Sequence, residues 1–154
     1  MKFELIRISD NSYKMIGELI ITFSQVEIII ANVGLISNYN NLSDNEKVKK
    51  LEKLLASKFS KKLLDLGNLK YDTTKLEEIG EYRNTISHGQ IFEVQSMSNP
   101  IVQSVSRPEE NYKMLDPQEI SKRLKDLRNE AAKLVTLMNN QGYTHPAIKY
   151  KYDQ

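Results

Sequence analysis

One segment, residues 15–36, is apolar over a length that could cross a membrane. Glu18 and Glu27 interrupt it, and an unpaired carboxylate at mid-bilayer is too costly for a single membrane span. A helix that is apolar on nearly all sides is instead buried on nearly all sides. The segment therefore predicts a buried helix over about residues 11–36, in a protein that does not contact a membrane.

The predicted first helix carries more apolar side chains than one core-facing stripe requires. The stripe at spacings of three and four consists of Leu19, Phe23, Val26, Ile30 and Val33, and the side chains that widen it are Ile20, Ile21, Ile28 and Ile29. In a chain of 154 residues, which suits a single domain, a second copy of the chain can cover the extra surface. We therefore expect a homodimer of single-domain subunits.

Composition excludes several classes of protein. The chain has no cysteine, so neither a disulfide framework nor a thiolate zinc site can form. Its first seven residues lack the apolar run and small-residue cleavage site of a secretory signal. No Asp, Glu and His cluster has the spacing of metal ligands. We therefore expect a cytoplasmic protein without a metal or a cofactor; its net charge of +2 is too small to indicate nucleic-acid binding by itself.

Capping signals divide the chain into four predicted helices. They run over about 11–36 after Ser9 or Asp10, over about 44–66 between Ser43 and Gly67, from Asp72 or Thr73 to Gly89, and from Asp116 to near Gly142. Two β-prone segments, residues 91–95 and 101–105, bracket a turn and predict a short β excursion between the third and fourth helices. The expected fold is an all-α bundle of four to five helices, with a core at about 9–142 and a loosely ordered tail at 143–154.

The second predicted helix has an apolar face and a lysine-rich face. The side chains expected to point inward are Val48, Leu51, Leu54, Leu55, Phe59, Leu63 and Leu64, and those expected to point outward are Lys47, Lys49, Lys50, Lys53, Lys58, Lys61 and Lys62. Solvation is the ordinary role of such a lysine face. The alternative is a patch that follows RNA phosphates, with Lys50, Lys53, Lys58 and Lys61 as the candidates, because clustered cations gain by counterion release.

The third predicted helix contains an arginine where its apolar pattern requires a leucine. Leu76, Ile79 and Ile86 form a stripe at spacings of three and seven, and Arg83 falls on it. Burial of a guanidinium is costly unless it is paired or faces a cleft. Glu27 interrupts the first helix in the same way. Arg83 is therefore expected either to pair with Glu27 or to face a polar site.

Asn84 and His88 lie four residues apart and share a face of this helix. A histidine in the last turn, before a glycine suited to a left-handed cap, is either a helix cap or a general acid or base. Arg83 and His88 are five residues apart, roughly 140° around an ideal helix. Two subunits related by a two-fold axis would bring such groups into a shared cleft.

The segment Arg83-Asn84-x-x-x-His88, followed by Gly89, resembles the signature of HEPN domains, in which four to six residues separate an arginine from a histidine. The likeness covers roughly residues 9–142 and extends to the order of the helices. It includes a Phe-Ser-x-x-Glu pattern in the first helix, formed by Phe23, Ser24 and Glu27. One branch of the family has a tyrosine two residues after the histidine, whereas this chain has Gln90.

The resemblance implies an all-α homodimer that cuts RNA without a metal, as a toxin or an anti-phage effector with a possible cognate antitoxin. Carried onto this chain, it makes His88 the proton-transfer group and Arg83 the group that stabilises charge on the transition state. Asn84 would orient the phosphate, and Glu27 and Ser87 would support the site. The alternatives are a dimeric HEPN-like module that binds without cutting, and a purely structural helical dimer held by an Arg83–Glu27 pair.

Overall fold

The computed structural model describes residues 9–92, 101–104 and 113–140. This part of the chain is mostly helical and includes a small sheet. The helices are α1 (Asp10–Asn38), α2 (Asp44–Ala56), α3 (Phe59–Gly67), α4 (Thr74–His88) and α5 (Pro117–Asn140), and the strands are β1 (Gly89–Phe92), β2 (Ile101–Ser104) and β3 (Lys113–Met114). The expectations for the first seven residues, the turn near 96–100 and the tail at 143–154 lie outside the described residues.

Helix α1 is the central element and packs against all four other helices. Its predicted cap is confirmed, because the Ser9 hydroxyl accepts a hydrogen bond from the Ser12 amide. Every residue from 29 to 36 is buried. The helix is long and apolar enough to cross a membrane, but 67% of its most apolar 18-residue window is buried inside the protein. Contacts within one chain thus account for much of its apolar width, although Ile21 remains 63% exposed.

The second predicted helix is in fact two helices, α2 and α3. The expected start of α2 is confirmed by a complete capping box between Ser43 and Glu46. The chain then leaves helical geometry at Ser57 and Lys58, whose ψ angles are 160° and 150°. The Ser57 hydroxyl donates to the carbonyl of Leu54 at 2.6 Å, and such local bonds offer the backbone an alternative to the helix.

The buried faces of α2 and α3 differ in part from the predicted inward face. Leu51, Leu54 and Leu63 are buried as expected. The inward positions predicted for three others were wrong: the exposed fractions are 46% for Val48, 38% for Leu55 and 69% for Leu64. Val48 and Leu55 lie in α2 beside Leu51 and Leu54, so the buried face of α2 is narrower than predicted. Leu64 lies in α3, beyond the break, where the helical period of α2 no longer applies.

The predicted β excursion between the motif helix and the last helix is confirmed as an antiparallel sheet of order β1-β2-β3. Gly89 pairs with Ser104, and Ile101 pairs with Met114. The left-handed conformation expected at Gly89 was wrong: its φ of −90° and ψ of 161° are extended. Helix α4 therefore passes directly into β1 without a separate cap.

Two buried clusters hold α4 in place. Near its start, Leu76 and Ile79 pack with residues of α1, α3 and α5, and near its end Tyr82 and Ile86 pack with Leu19 and residues of β2 and α5. The end of α4 is thus anchored on one face by the core, which leaves its other face to border open space.

Candidate functional site

An open cleft of about 770 Å³ lies between α4 and the α2–α3 segment. Its lining residues on α4 are Glu77, Gly80, Glu81, Arg83, Asn84 and His88, and those across the cleft include Leu55, Lys58, Phe59, Lys62, Leu63 and Leu64. Glu27 of α1 also borders it. The cleft thus contains all three predicted catalytic residues of one chain.

Arg83 both pairs with a carboxylate and borders the cleft, so the two expectations for it hold together. Its Nη2 lies 2.7 Å from Oε1 of Glu27, and its Cζ lies 4.4 Å from the ring centroid of Phe23. Arg83 and Glu27 are each 21% exposed. The Nε of Arg83 is buried and has no hydrogen-bond partner within the described part of the chain.

Glu27 has a second cationic partner, Lys62, which was not predicted from the sequence. Its Nζ lies 2.6 Å from Oε2 of Glu27, and its side chain is only 3% exposed. The outward position predicted for Lys62 was therefore wrong, because it followed from the residue type and not from the helical position. Lys62 lies three residues after Phe59 and four before Leu66, and this spacing indicates the buried face of α3.

Asn84 and His88 are both exposed. Over residues 9–92, 101–104 and 113–140, neither side chain makes a hydrogen bond or ion pair, so both can contact a ligand in the cleft. Ser87, expected to support the site, is also exposed, but it does not line the cleft. The structure therefore brings Glu27, Arg83, Asn84 and His88 together and leaves Ser87 outside.

The four candidate RNA-binding lysines do not form one patch at the cleft. Lys58 is exposed and lines it. Lys53 and Lys61 are exposed but outside the lining, and the Nζ of Lys50 lies 4.3 Å from the ring centroid of Tyr39. Lys58 is thus the member of this set placed to meet a ligand that enters the cleft.

The charged groups of the cleft are of both signs. Its acidic lining residues are Glu27, Glu77 and Glu81, and its basic ones include Lys58, Lys62 and Arg83. The Glu77 carboxylate accepts a hydrogen bond from the Thr73 hydroxyl at 3.1 Å. The cleft is therefore not a uniformly basic surface.

The arrangement provides a paired guanidinium, an exposed carboxamide and an exposed imidazole within one cleft. Such groups can hold an anionic ligand and transfer a proton to or from it. Within the described residues, no group of three or more His, Asp or Glu side chains is placed to hold a metal ion. No protein-family model, curated protein or solved structure matches this chain.

Proposed function

We propose that this protein is a metal-independent endoribonuclease of HEPN-like architecture, with its active site in the cleft beside α4. The observation that carries the proposal is that Arg83, Asn84 and His88 line the same cleft. A second observation supports the HEPN-like assignment: Phe23 and Glu27, from the pattern in α1, are the residues that contact Arg83 of the motif.

In the proposed reaction, a ribose 2′-hydroxyl attacks the adjacent phosphorus and the bond from phosphorus to the 5′-oxygen breaks. The 2′-hydroxyl loses a proton and the departing 5′-oxygen gains one, so the products are a 2′,3′-cyclic phosphate and a 5′-hydroxyl. His88 assists this proton transfer, because an exposed imidazole can both accept and donate a proton. Arg83 stabilises the charge that develops on the phosphoryl oxygens, and Asn84 orients the phosphate.

The biological setting belongs to the same proposal. We infer a cytoplasmic toxin or anti-phage effector that acts as a homodimer and is held in check by a cognate antitoxin. Exposed Ile21 and Tyr13 on α1, at 63% and 55%, offer apolar surface for a second subunit. Sedimentation velocity tests the dimer, and a monomer over the micromolar range would remove it from the proposal.

The deciding experiment is cleavage of a labelled single-stranded RNA by the purified protein in the presence of EDTA. His88→Ala and Asn84→Ala should fold normally, and His88→Ala should lower the rate by about 10²–10⁴-fold, the usual contribution of a general acid or base. Asn129→Ala, an exposed site on α5, is the matched control for Asn84→Ala and should cleave normally. DNA of the same sequence should stay intact because it lacks the 2′-hydroxyl.

RNA that remains intact with the unaltered protein, or equal cleavage by His88→Ala, would overturn the proposal. One observation favours a second candidate function, a structural or purely binding module: Arg83 is already engaged by Glu27. RNA binding without cleavage would identify the binding module.

A further inference from the structure

Glu27 is shared by two cations, one at each carboxylate oxygen. Arg83 Nη2 lies 2.7 Å from Oε1 and Lys62 Nζ lies 2.6 Å from Oε2. The three side chains come from α4, α3 and α1, so the cluster joins three helices at the edge of the cleft. With two positive groups and one negative group, its formal net charge is +1.

The two cations differ in their access to the cleft. Lys62 is 3% exposed, whereas Arg83 is 21% exposed. A buried lysine requires a charged partner, and the ion pair of Lys62 is with Glu27. Arg83 is therefore the member that reaches a ligand, and Lys62 acts on that ligand only through Glu27.

Occupation of one Glu27 oxygen by Lys62 limits what Glu27 can do to Arg83. Arginine and a carboxylate form a two-bond, fork-like pair when both oxygens are available. Here Arg83 makes one hydrogen bond to Glu27, through Nη2, and its buried Nε has no partner within the described residues. Without Lys62, Glu27 and Arg83 would form an isolated pair of net charge zero.

We propose that Lys62 is a positioning residue for phosphate binding. It offsets the negative charge of Glu27, so that Glu27 does not cancel the attraction of Arg83 for a phosphodiester in the cleft. The proposal rests on the proposed function for the class of ligand, but it concerns binding and not cleavage. It explains the presence of buried Lys62, which an Arg83–Glu27 pair alone does not.

The test is binding of a fluorescein-labelled single-stranded DNA oligonucleotide, measured by anisotropy at low salt. DNA presents the phosphodiester but cannot be cleaved through a 2′-hydroxyl. Lys62→Met gives the cluster a net charge of zero and should weaken binding about tenfold, the size expected for loss of one charged hydrogen bond. Lys125→Met, an exposed site on α5, is the control for the change in net charge and should change binding less than about twofold.

The double variant Lys62→Met/Glu27→Gln restores the net charge to +1 and should recover binding close to that of the unaltered protein. A lysine that only supports the fold predicts a double variant as weak as the single one, which would overturn the proposal. Normal binding by Lys62→Met, or no binding by the unaltered protein, would also overturn it. Lys62→Gln, which keeps a donor for Glu27, replaces Lys62→Met if that variant does not fold.

These outcomes are independent of the RNA assay. If RNA cleavage depends on His88 but DNA binding does not change in Lys62→Met, the nuclease proposal stands and this inference is wrong. If DNA affinity changes with the net charge of the cluster but RNA is not cleaved, the inference stands for phosphate binding and the nuclease proposal is wrong.

Discussion

The guanidinium of Arg83 lies over the ring of Phe23, with Cζ 4.4 Å from the ring centroid. Phe23 is 1% exposed, and its ring centroid lies 4.8 Å from that of Phe59. The contact explains how an arginine occupies the apolar stripe of α4: its Cζ lies over an aromatic ring, while its Nη2 reaches Glu27 and the side chain borders the cleft. Shape as well as charge therefore holds this side chain.

Arg83→Lys should fold but should cleave RNA at least about 100-fold more slowly, because an ammonium group lacks the planar fork and the stacking face of a guanidinium. Arg83→Met should lose cleavage altogether. It should cost only about 1–2 kcal/mol of unfolding free energy, less than the usual price of breaking a buried pair, because Glu27 keeps Lys62. Urea unfolding and the RNA assay measure the two effects.

The matched control for the Arg83 variants is Arg128→Met, at an exposed site on α5. It should change neither the rate of RNA cleavage nor the free energy of unfolding. A loss of more than about 3 kcal/mol in Arg83→Met would instead support the purely structural interpretation of the Arg83–Glu27 pair.

The Arg83–Glu27 contact could be predicted because both residues interrupt apolar stripes, and a buried charge requires a partner. The starts of α1, α2 and α5 could also be predicted, because the capping side chains of Ser9, Ser43 and Asp116 lie next to the amides they bind. Helix capping is a local effect, and the Arg83–Glu27 contact follows from the energetic cost of burying an unpaired charge.

The break between α2 and α3 could not be predicted from the same signals. Neither glycine nor proline marks it, and Lys58 begins α3 without a side-chain cap. The two short helices pack on α1 in two different clusters, through contacts between residues distant in sequence. Lys62 was missed as the second partner of Glu27 because a lysine was assigned to the solvent face by its residue type.

Gly80 is in close contact with the aromatic wall of the cleft. A Cβ at this position would lie 2.6 Å from Cε1 of Phe59, whereas a Cβ at Gly17 would have no neighbour within 4 Å. Gly80→Ala should therefore lower the unfolding free energy by about 1–3 kcal/mol, as overpacking does. Gly17→Ala, also within a helix, should raise it by about 0.5–1 kcal/mol through helix propensity. Equal effects of the two substitutions in thermal unfolding would contradict this account.

Removal of the hydroxyl should affect half-buried Tyr71 and buried Tyr82 differently. The Tyr71 hydroxyl donates to Glu130, which is 3% exposed, whereas the Tyr82 hydroxyl has no partner within the described residues. Tyr71→Phe should cost about 1.5–3 kcal/mol, because it removes a hydrogen bond to a buried charge. Tyr82→Phe should be neutral or stabilise by up to ~1 kcal/mol, because no hydrogen bond is lost. Denaturant midpoints of the two variants decide this, and similar losses in both would contradict it.

The same two tyrosines predict how stability changes in alkali. Burial raises the pKa of Tyr82 to about 12, with a further contribution from Glu119, and burial and the hydrogen bond to Glu130 raise the pKa of Tyr71 still further. An unfolded tyrosine has a pKa of about 10. Above that pH the unfolded chain loses these protons first, which favours unfolding.

Their contribution to stability is therefore complete below about pH 10 and declines as the pH rises, for Tyr82 until about pH 12. Each tyrosine adds at most ~1.4 kcal/mol per pH unit to the slope, and solvent screening reduces this most for half-buried Tyr71. Tyr82→Phe removes the contribution of Tyr82 to this pH dependence. The unfolding free energy of the variant should therefore fall less steeply between pH 10 and 11 than that of the unaltered protein. Urea unfolding at pH 8, 10 and 11 measures both slopes, and parallel slopes would show that Tyr82 titrates alike in the folded and unfolded chains.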